Sequence, residues 1–236
     1  MYFVGREKES RQIIKALERG ENVILTGKYG IGKTSLIRQV AGITKDRWRF
    51  IFVDFSRTPG RVCQQLMAEL PFTEEVHRIA GDNGYKSRRF RIVNLALKDR
   101  GQPVLVLDDI AKLSSPKLDL IRHLTRADRF RCIAIVETFL GEKDLFRLRA
   151  WLSPVLLIKI PHLSRKSARE FFCHFSRPHH FHWTEDQINS LAEMSGGYPL
   201  GMKEVVTRKL ASSGNLGDPA PLPKSNGRRP NTSLVG

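Results

Sequence analysis

The sequence predicts an α/β fold: a doubly wound, five-stranded parallel sheet, then a small all-helical domain and a disordered C-terminal tail. Three observations carry that prediction. Short apolar runs alternate with helical stretches as far as Ile160. From Ser164 to Leu210 the pattern is wholly helical. Between the first apolar run and the helix after it stands a glycine-rich loop, Gly27-Lys28-Tyr29-Gly30-Ile31-Gly32-Lys33-Thr34. Strands that alternate with helices form a parallel sheet covered on both faces.

Each element has its own reason. Residues 7–19 place Ile13, Ile14 and Leu17 on one helical face, and Gly20 stands where a helix stops. Val23–Thr26 reads as a buried strand, and residues 35–40 after the loop as a helix. Phe50–Phe55 is the second strand, and residues 61–70 are helical up to Pro71. Residues 86–99 make a basic helix with Phe90, Ile92, Val93 and Leu97 as its apolar side. Pro103–Leu107 is nearly all apolar, as a strand covered on both faces should be. A helix near 116–127 leads to a fourth strand, Cys132–Val136, and a short helix precedes the fifth, Val155–Ile160. Helices follow at 165–175, 185–194 and 199–210, with Ser164 and Thr184 as N-caps. The domains are therefore 1–162, 163–210 and a tail at 211–236 rich in Gly, Pro, Ser and Asn.

The loop matches the pattern G-x-x-x-x-G-K-[ST], and its setting between strand and helix makes it an anion site. Backbone N–H groups face the phosphates, and Gly27, Gly30 and Gly32 let the backbone turn and approach closely. Lys33 reaches the β- and γ-phosphates of a nucleotide, and the Thr34 hydroxyl ligates Mg²⁺. Hydrolysis needs a second, acidic site. The apolar run Val104–Leu107 ends in Asp108-Asp109, at the carboxyl end of a strand, where open α/β sheets bind ligands. Asp108 then holds Mg²⁺ beside Thr34 and Asp109 polarises the attacking water; the competing reading is that both cap the next helix. No Asn-Lys-x-Asp guanine-reading motif occurs, which favours ATP.

Composition narrows the partners. Lys and Arg number 40 against 24 acidic residues, for a net charge of +16. The tail holds only Lys224, Arg228 and Arg229 against Asp218, so the excess lies in the folded part. A field of that sign favours polyanions, nucleic acid first. Lys86, Arg88, Arg89 and Arg91 form one basic cluster, Arg122, Arg126, Arg129 and Arg131 a second, and Arg165, Lys166 and Arg169 a third. They suit phosphate contacts, and no helix-turn-helix or zinc-finger pattern offers base readout. Three scattered cysteines, Cys63, Cys132 and Cys173, argue against a disulfide framework and fit a reducing cytoplasm. No apolar run approaches the roughly 18 residues that span a bilayer, and the charged start does not read as a signal peptide. Cys173 and His174 with His179, His180 and His182 match no standard zinc spacing and read better as a basic, aromatic-rich loop.

The order of pieces resembles the AAA+ ATPases, closest to their STAND and origin-recognition-like branch. The resemblance rests on Val4-Gly5-Arg6-Glu7, the loop at 27–34, the Leu107-Asp108-Asp109 strand end and Gly196-Gly197-Tyr198-Pro199-Leu200, and spans about residues 2–210. It implies a P-loop NTPase with a helical lid that binds ATP and Mg²⁺ and hydrolyses ATP. Val4, Gly5 and Arg6 then lie against adenine. Gly27 to Ser35 (Lys28, Tyr29, Gly30, Ile31, Gly32, Lys33 and Thr34 between them) hold the phosphates, and Pro199 packs near base and phosphates. The γ-phosphate sensor on the fourth strand falls at Thr138, without the arginine many STAND relatives place nearby. Arg149, or else Arg147, stands where origin-recognition-like members carry a finger into a neighbouring copy's ATP, which implies a homo-oligomer; a solvated basic helix is the competing reading. Asp109 replaces the glutamate commonest in AAA+ proteins. The implied function is a nucleotide switch associated with double-stranded DNA or other nucleic acid. The alternatives are a STAND-type signalling switch or fragment with a protein partner, and a nucleotide-binding module with weak hydrolysis.

Overall fold

The computed structural model describes residues 2–70, 84–97, 102–126, 128–177 and 181–212. Strands β1 (Asn22–Gly27), β2 (Phe50–Asp54), β3 (Val104–Ile110), β4 (Arg131–Glu137) and β5 (Val155–Lys159) form one parallel sheet in the order β2-β3-β4-β1-β5. Around them run α1 (Glu7–Glu18), α2 (Lys33–Ile43), α3 (Pro59–Glu69), α4 (Tyr85–Leu97), α5 (Ser115–Arg126) and α6 (Glu142–Trp151). The second strand ends at Asp54; Phe55 lies just beyond it, fully buried.

The period of two along each strand sorts the core into two layers. Val23 and Leu25 of β1, Val104 and Val106 of β3, and Ile133 and Ile135 of β4 face one layer, packed on Ile13 and Leu17 of α1 and Leu36, Ile37 and Val40 of α2. Ile24, Leu105, Leu107, Cys132, Ala134 and Val136 face the other, covered by α3 to α6. On α4 the inward face is Ile92, Leu95 and Ala96, whereas Phe90, expected on the apolar side, is 59% exposed. Residues 98–99 of that predicted helix lie outside the described residues.

Asn22 fastens the far end of β1. Its side chain donates to Leu152 O at 2.7 Å and accepts from Cys132 N at 2.7 Å, so one buried amide ties β1 to β4 and to the end of α6. At the other end of β1, Gly27 pairs in register with Glu137 of β4. The loop therefore leaves the sheet between the ends of β4 and β5. One strand further on, the β3–β4 register shifts between Leu107 and Ile110, and Asp109 takes φ +61° there. Bulges beside a strand end re-aim side chains.

The helical domain is α7 (Arg165–Ser176), α8 (Glu185–Met194) and α9 (Pro199–Ser212). Both expected caps form: Ser164 accepts from Ser167 N, and Thr184 makes a reciprocal capping box with Gln187. Phe171, Phe172, Ile188, Met202 and Val206 make its core. The N-terminal segment alternates between the two bodies: Tyr2 and Val4 pack against this core, and Phe3 against the α1–α2 layer of the sheet. Tyr2 stacks on His174 with centroids 3.5 Å apart. Residues 213–236, most of the expected tail, lie outside the described residues, as do His179 and His180.

Candidate functional site

Glycine and helix geometry build the loop. Gly30 and Gly32 take φ +72° and +94°, values that L side chains adopt only with strain. Gly32 is the N-cap of α2 and makes no side-chain cap, and the first turn of α2 holds no acidic residue. The free N–H groups of that turn and its dipole are left for an anion. A Cβ at Gly32 would meet nothing within 4 Å, so the space over the loop is open. Ile31 is buried and anchors the loop in the α1–α2 layer, while Lys28 and Tyr29 are exposed and Ser35 is half-buried.

Lys33 is buried beneath the loop. Its ammonium donates to Gly27 O at 2.7 Å and Lys28 O at 3.1 Å, and pairs with Glu137 Oε1 at 2.9 Å. The Thr34 hydroxyl faces both oxygens of Asp108, at 3.0 and 3.1 Å. Asp108 Oδ1 also accepts from Asp109 N at 3.0 Å. Burial pushes the Asp108 carboxyl above its ordinary range, against the pull of the Thr34 hydroxyl and the Asp109 N–H. Asp109 itself is exposed on the bulge. A hydroxyl and a carboxylate side by side form the hard-oxygen donor set that suits Mg²⁺. The open, uncapped helix start beside them suits the phosphates that accompany it.

The helical domain sits on the loop. The Tyr198 hydroxyl donates to Tyr29 O at 2.6 Å, and a Cβ at Gly30 would lie 2.7 Å from Leu200 Cβ. Gly197 (φ +69°) passes so close to Leu163 that a Cβ would lie 2.1 Å from its carbonyl oxygen. Pro199 starts α9 at this junction. Lys203, one turn further on, is half-buried without a pairing partner among the described residues, and burial lowers its ammonium below the usual lysine range.

The other expected residues fall as follows. Arg6 is buried and donates to Pro161 O at 2.7 Å and Ile31 O at 3.4 Å, so it ties the start of α1 to the loop and to the chain after β5. Burial lowers its guanidinium pKa against the pull of Glu9. Gly5 (φ +56°) abuts Ser167, and Val4 packs on the helical domain. Thr138 is exposed in the turn after β4; the residue of that strand end which reaches the loop is its neighbour Glu137. Arg149 is exposed on α6 and makes no ion pair among the described residues, while Arg147 lies 3.8 Å from Asp144. Sequence reasoning passed over Glu137, Tyr198 and Lys203; the signal for Glu137 was its place as the first polar residue closing a buried strand.

Several cations of the basic clusters are internally paired. Arg89 and Arg122 share Asp119, Arg131 pairs with Asp128, Arg165 with Glu193 and Arg169 with Glu185. Lys86, Arg126, Arg129 and Lys166 stay exposed. A groove of about 1210 Å³ on the helical domain, away from the loop, is lined by Tyr2, Arg165, Lys166, Arg169, His174 and Arg177 among others. Cys63 and Cys132 are buried, which pushes their thiols up to about 11 and about 12. No helix among the described residues is long and apolar enough to cross a membrane.

The family model described as "AAA ATPase domain" matches residues 2–136. No curated protein matches the sequence. Among solved structures, the Orc1 protein of Aeropyrum pernix in complex with DNA is similar at 17% identity and a TM-score of 0.67, over 90% of this chain and 61% of that one. Cdc6p of Pyrobaculum aerophilum follows at 17% identity and 0.58, over 88% and 62%. The RuvB Holliday junction branch migration motor of Thermotoga maritima is similar at 18% identity and 0.56, over 89% and 64%. The chain thus spans a little over six tenths of the length of each of these three.

Proposed function

This chain belongs to the AAA ATPase domain family, the AAA+ P-loop ATPases, and from that membership and the site's geometry we propose that it is an ATP-hydrolysing nucleotide switch that works on nucleic acid. The observation that carries the reading is the Thr34 hydroxyl set on the Asp108 carboxylate at 3.0 Å, beside a buried Lys33. Nucleotides of this family bind with Mg²⁺, which supplies charge neutralisation at the phosphates. Asp108 and Thr34 hold that ion, and Lys33 and the N–H groups of the loop and first turn of α2 hold the phosphates. Asp109 is the candidate to orient the attacking water. Its exposure on a bulge beside Asp108 suits that task.

The helical domain is the moving part of the switch. Its contacts with the loop run through Tyr198 and Leu200, so a nucleotide that changes the loop changes the seating of α9. A ligand shifts such an equilibrium by its differential affinity for the two arrangements. Val4, Gly5 and Pro199 edge this junction and are the proposed neighbours of the base. Arg149, exposed and without an ion pair among the described residues, is the proposed finger into a second copy.

Association with nucleic acid rests on the net charge of +16 and on the exposed Lys86, Arg126, Arg129 and Lys166. The Aeropyrum pernix neighbour was solved with DNA, which supports the same reading. Three free cysteines, Cys63 and Cys132 buried and Cys173 half-buried, are consistent with a reducing, cytoplasmic setting.

The test is steady-state ATP hydrolysis with and without duplex DNA, for wild type and Lys33→Ala, at low and moderate salt. Turnover that DNA stimulates, salt weakens and Lys33→Ala abolishes is the expected result. Turnover indifferent to DNA would make the basic surface incidental and favour a protein partner. Lys33-dependent ATP binding without turnover would leave a nucleotide-binding module.

A further inference from the structure

The loop lysine already has a full set of partners. An ammonium carries three donors, and Lys33 spends them on Gly27 O, Lys28 O and Glu137 Oε1. Glu137 is buried like Lys33, and its second oxygen, Oε2, has no hydrogen-bond partner among the described residues. A buried carboxylate with an orphaned oxygen is costly to keep. Here it is held by one cation, and that cation is the one the loop would turn toward phosphate.

We propose that Glu137 is a built-in competitor of the nucleotide's phosphates for Lys33, an internal anion that sets affinity and discriminates ATP from ADP. The inference rests on the nucleotide-binding reading of the loop. Charge bookkeeping supports it. Of the three carboxylates at the cradle, Asp108 feels Arg38 and Asp109 lies within the field of Lys117, whereas Glu137 rests on the buried ammonium of Lys33. Mg²⁺ answers Asp108, but nothing else among the described residues pairs with Glu137. Phosphate can gain Lys33 only if the lysine gives up a loop carbonyl or if Glu137 yields. Each further phosphate adds negative charge beside that carboxylate, so the penalty is larger for ATP than for ADP.

The register explains why this glutamate is the competitor. Glu137 lies opposite Gly27, the first residue of the loop, in the β1–β4 pairing. Its carbonyl also accepts from Leu140 N at 3.1 Å, closing the turn that leads to α6. A Glu137 displaced by phosphate therefore acts at the root of the turn that carries the exposed Phe139 and, beyond it, Arg147 and Arg149.

The test is equilibrium binding of fluorescent ATP and ADP analogues, with Mg²⁺, to the full chain as wild type, Glu137→Gln and Glu137→Asp. Thermal unfolding without nucleotide is measured alongside. Glu137→Gln is expected to bind the ATP analogue at least about tenfold tighter, since a like charge beside the phosphates is gone. It should bind the ADP analogue only a few-fold tighter, roughly as its smaller charge dictates. Its melting temperature without nucleotide should fall, because Lys33 loses its counter-ion. Glu137→Asp keeps the charge but draws it back by one methylene; it should move ATP affinity the same way by less, and it decides the matter if the Gln variant does not fold. A folded variant that binds ATP as weakly as wild type, or more weakly, would overturn the inference and leave Glu137 a support of the lysine. Wild type that shows no Lys33-dependent ATP binding would bring down the nucleotide reading and this one with it. Intact wild-type binding with unchanged variants would bring down this one alone.

Discussion

Replacing Asp108 by Asn should stabilise the nucleotide-free protein while removing its response to Mg·ATP. The network survives the change. Asn Oδ1 can still accept from Asp109 N, now 3.0 Å from Asp108 Oδ1, and Nδ2 can donate to the Thr34 hydroxyl, which turns from donor to acceptor. What disappears is a carboxylate whose burial disfavours its charge. Relief of such a built-in strain at a functional site is expected to add about 1 kcal/mol to unfolding stability at neutral pH. The sign with pH follows from the raised folded value. Wild type is relatively most stable where Asp108 is protonated, below the ordinary 3.8, and loses that stability as pH rises through its raised folded value. The advantage of Asp108→Asn should therefore be full at pH 7 and shrink toward acid. Urea unfolding across pH measures it. Adding Mg·ATP at a hundred times its dissociation constant should stabilise wild type by about 2.7 kcal/mol and the variant by far less. A variant less stable than wild type at pH 7, or one that Mg·ATP stabilises equally, would refute the assignment of Asp108 as the buried metal-holding carboxylate.

Three further outcomes are expected. Asn22→Ala should cost about 2–4 kcal/mol in urea unfolding, because Cys132 N and Leu152 O are orphaned together in the core; ATP affinity, read at the opposite end of β1, should stay within about twofold, since distant sites act independently. Arg149→Ala should lower turnover by about a thousandfold or more with little change in ATP binding, and mixing it with Lys33→Ala chains should restore turnover if the arginine acts in a neighbouring copy. Asp119→Asn should lose about 0.5–1 kcal/mol at neutral pH, a modest figure because the Asp119 carboxylate is more than a third exposed and partly screened. Its hydrogen bond to Arg89 holds Asp119 below the ordinary 3.8, so wild type and variant should converge as pH falls through that lowered value.

Much of the sheet was legible because its central strands β1, β3 and β4 are buried on both faces. Val104–Leu107 is a short, nearly all-apolar run, and the acids that end it fall at the ligand-binding edge. The loop and the strand end single out Thr34 and Asp108 as separate pieces of the site. Sheet order does not, since periodicity says which face a residue takes and not which strand lies beside it. That gap hid Glu137: only the pairing of β4 with β1 brings it over Gly27. The same gap hid Tyr198, whose contact with Tyr29 joins residues 169 positions apart. Arg6 shows a different limit. A motif names the residue, but its hydrogen bonds to Pro161 and Ile31 depend on where three segments end.

The alternating stitch of Tyr2, Phe3 and Val4 has a consequence for how the chain is made. Tyr2 and Val4 are synthesised well before the aromatic surface that receives them, around Phe171 and Phe172. The sheet half can assemble around Phe3 while its neighbours on either side wait, uncovered, for some 160 residues of synthesis. When the late helices arrive they close over a segment already held by the early half. The two halves are then expected to melt as one unit rather than in sequence. Severing the chain near Leu163 would yield not two domains but two incomplete ones, each missing side chains that the other carries.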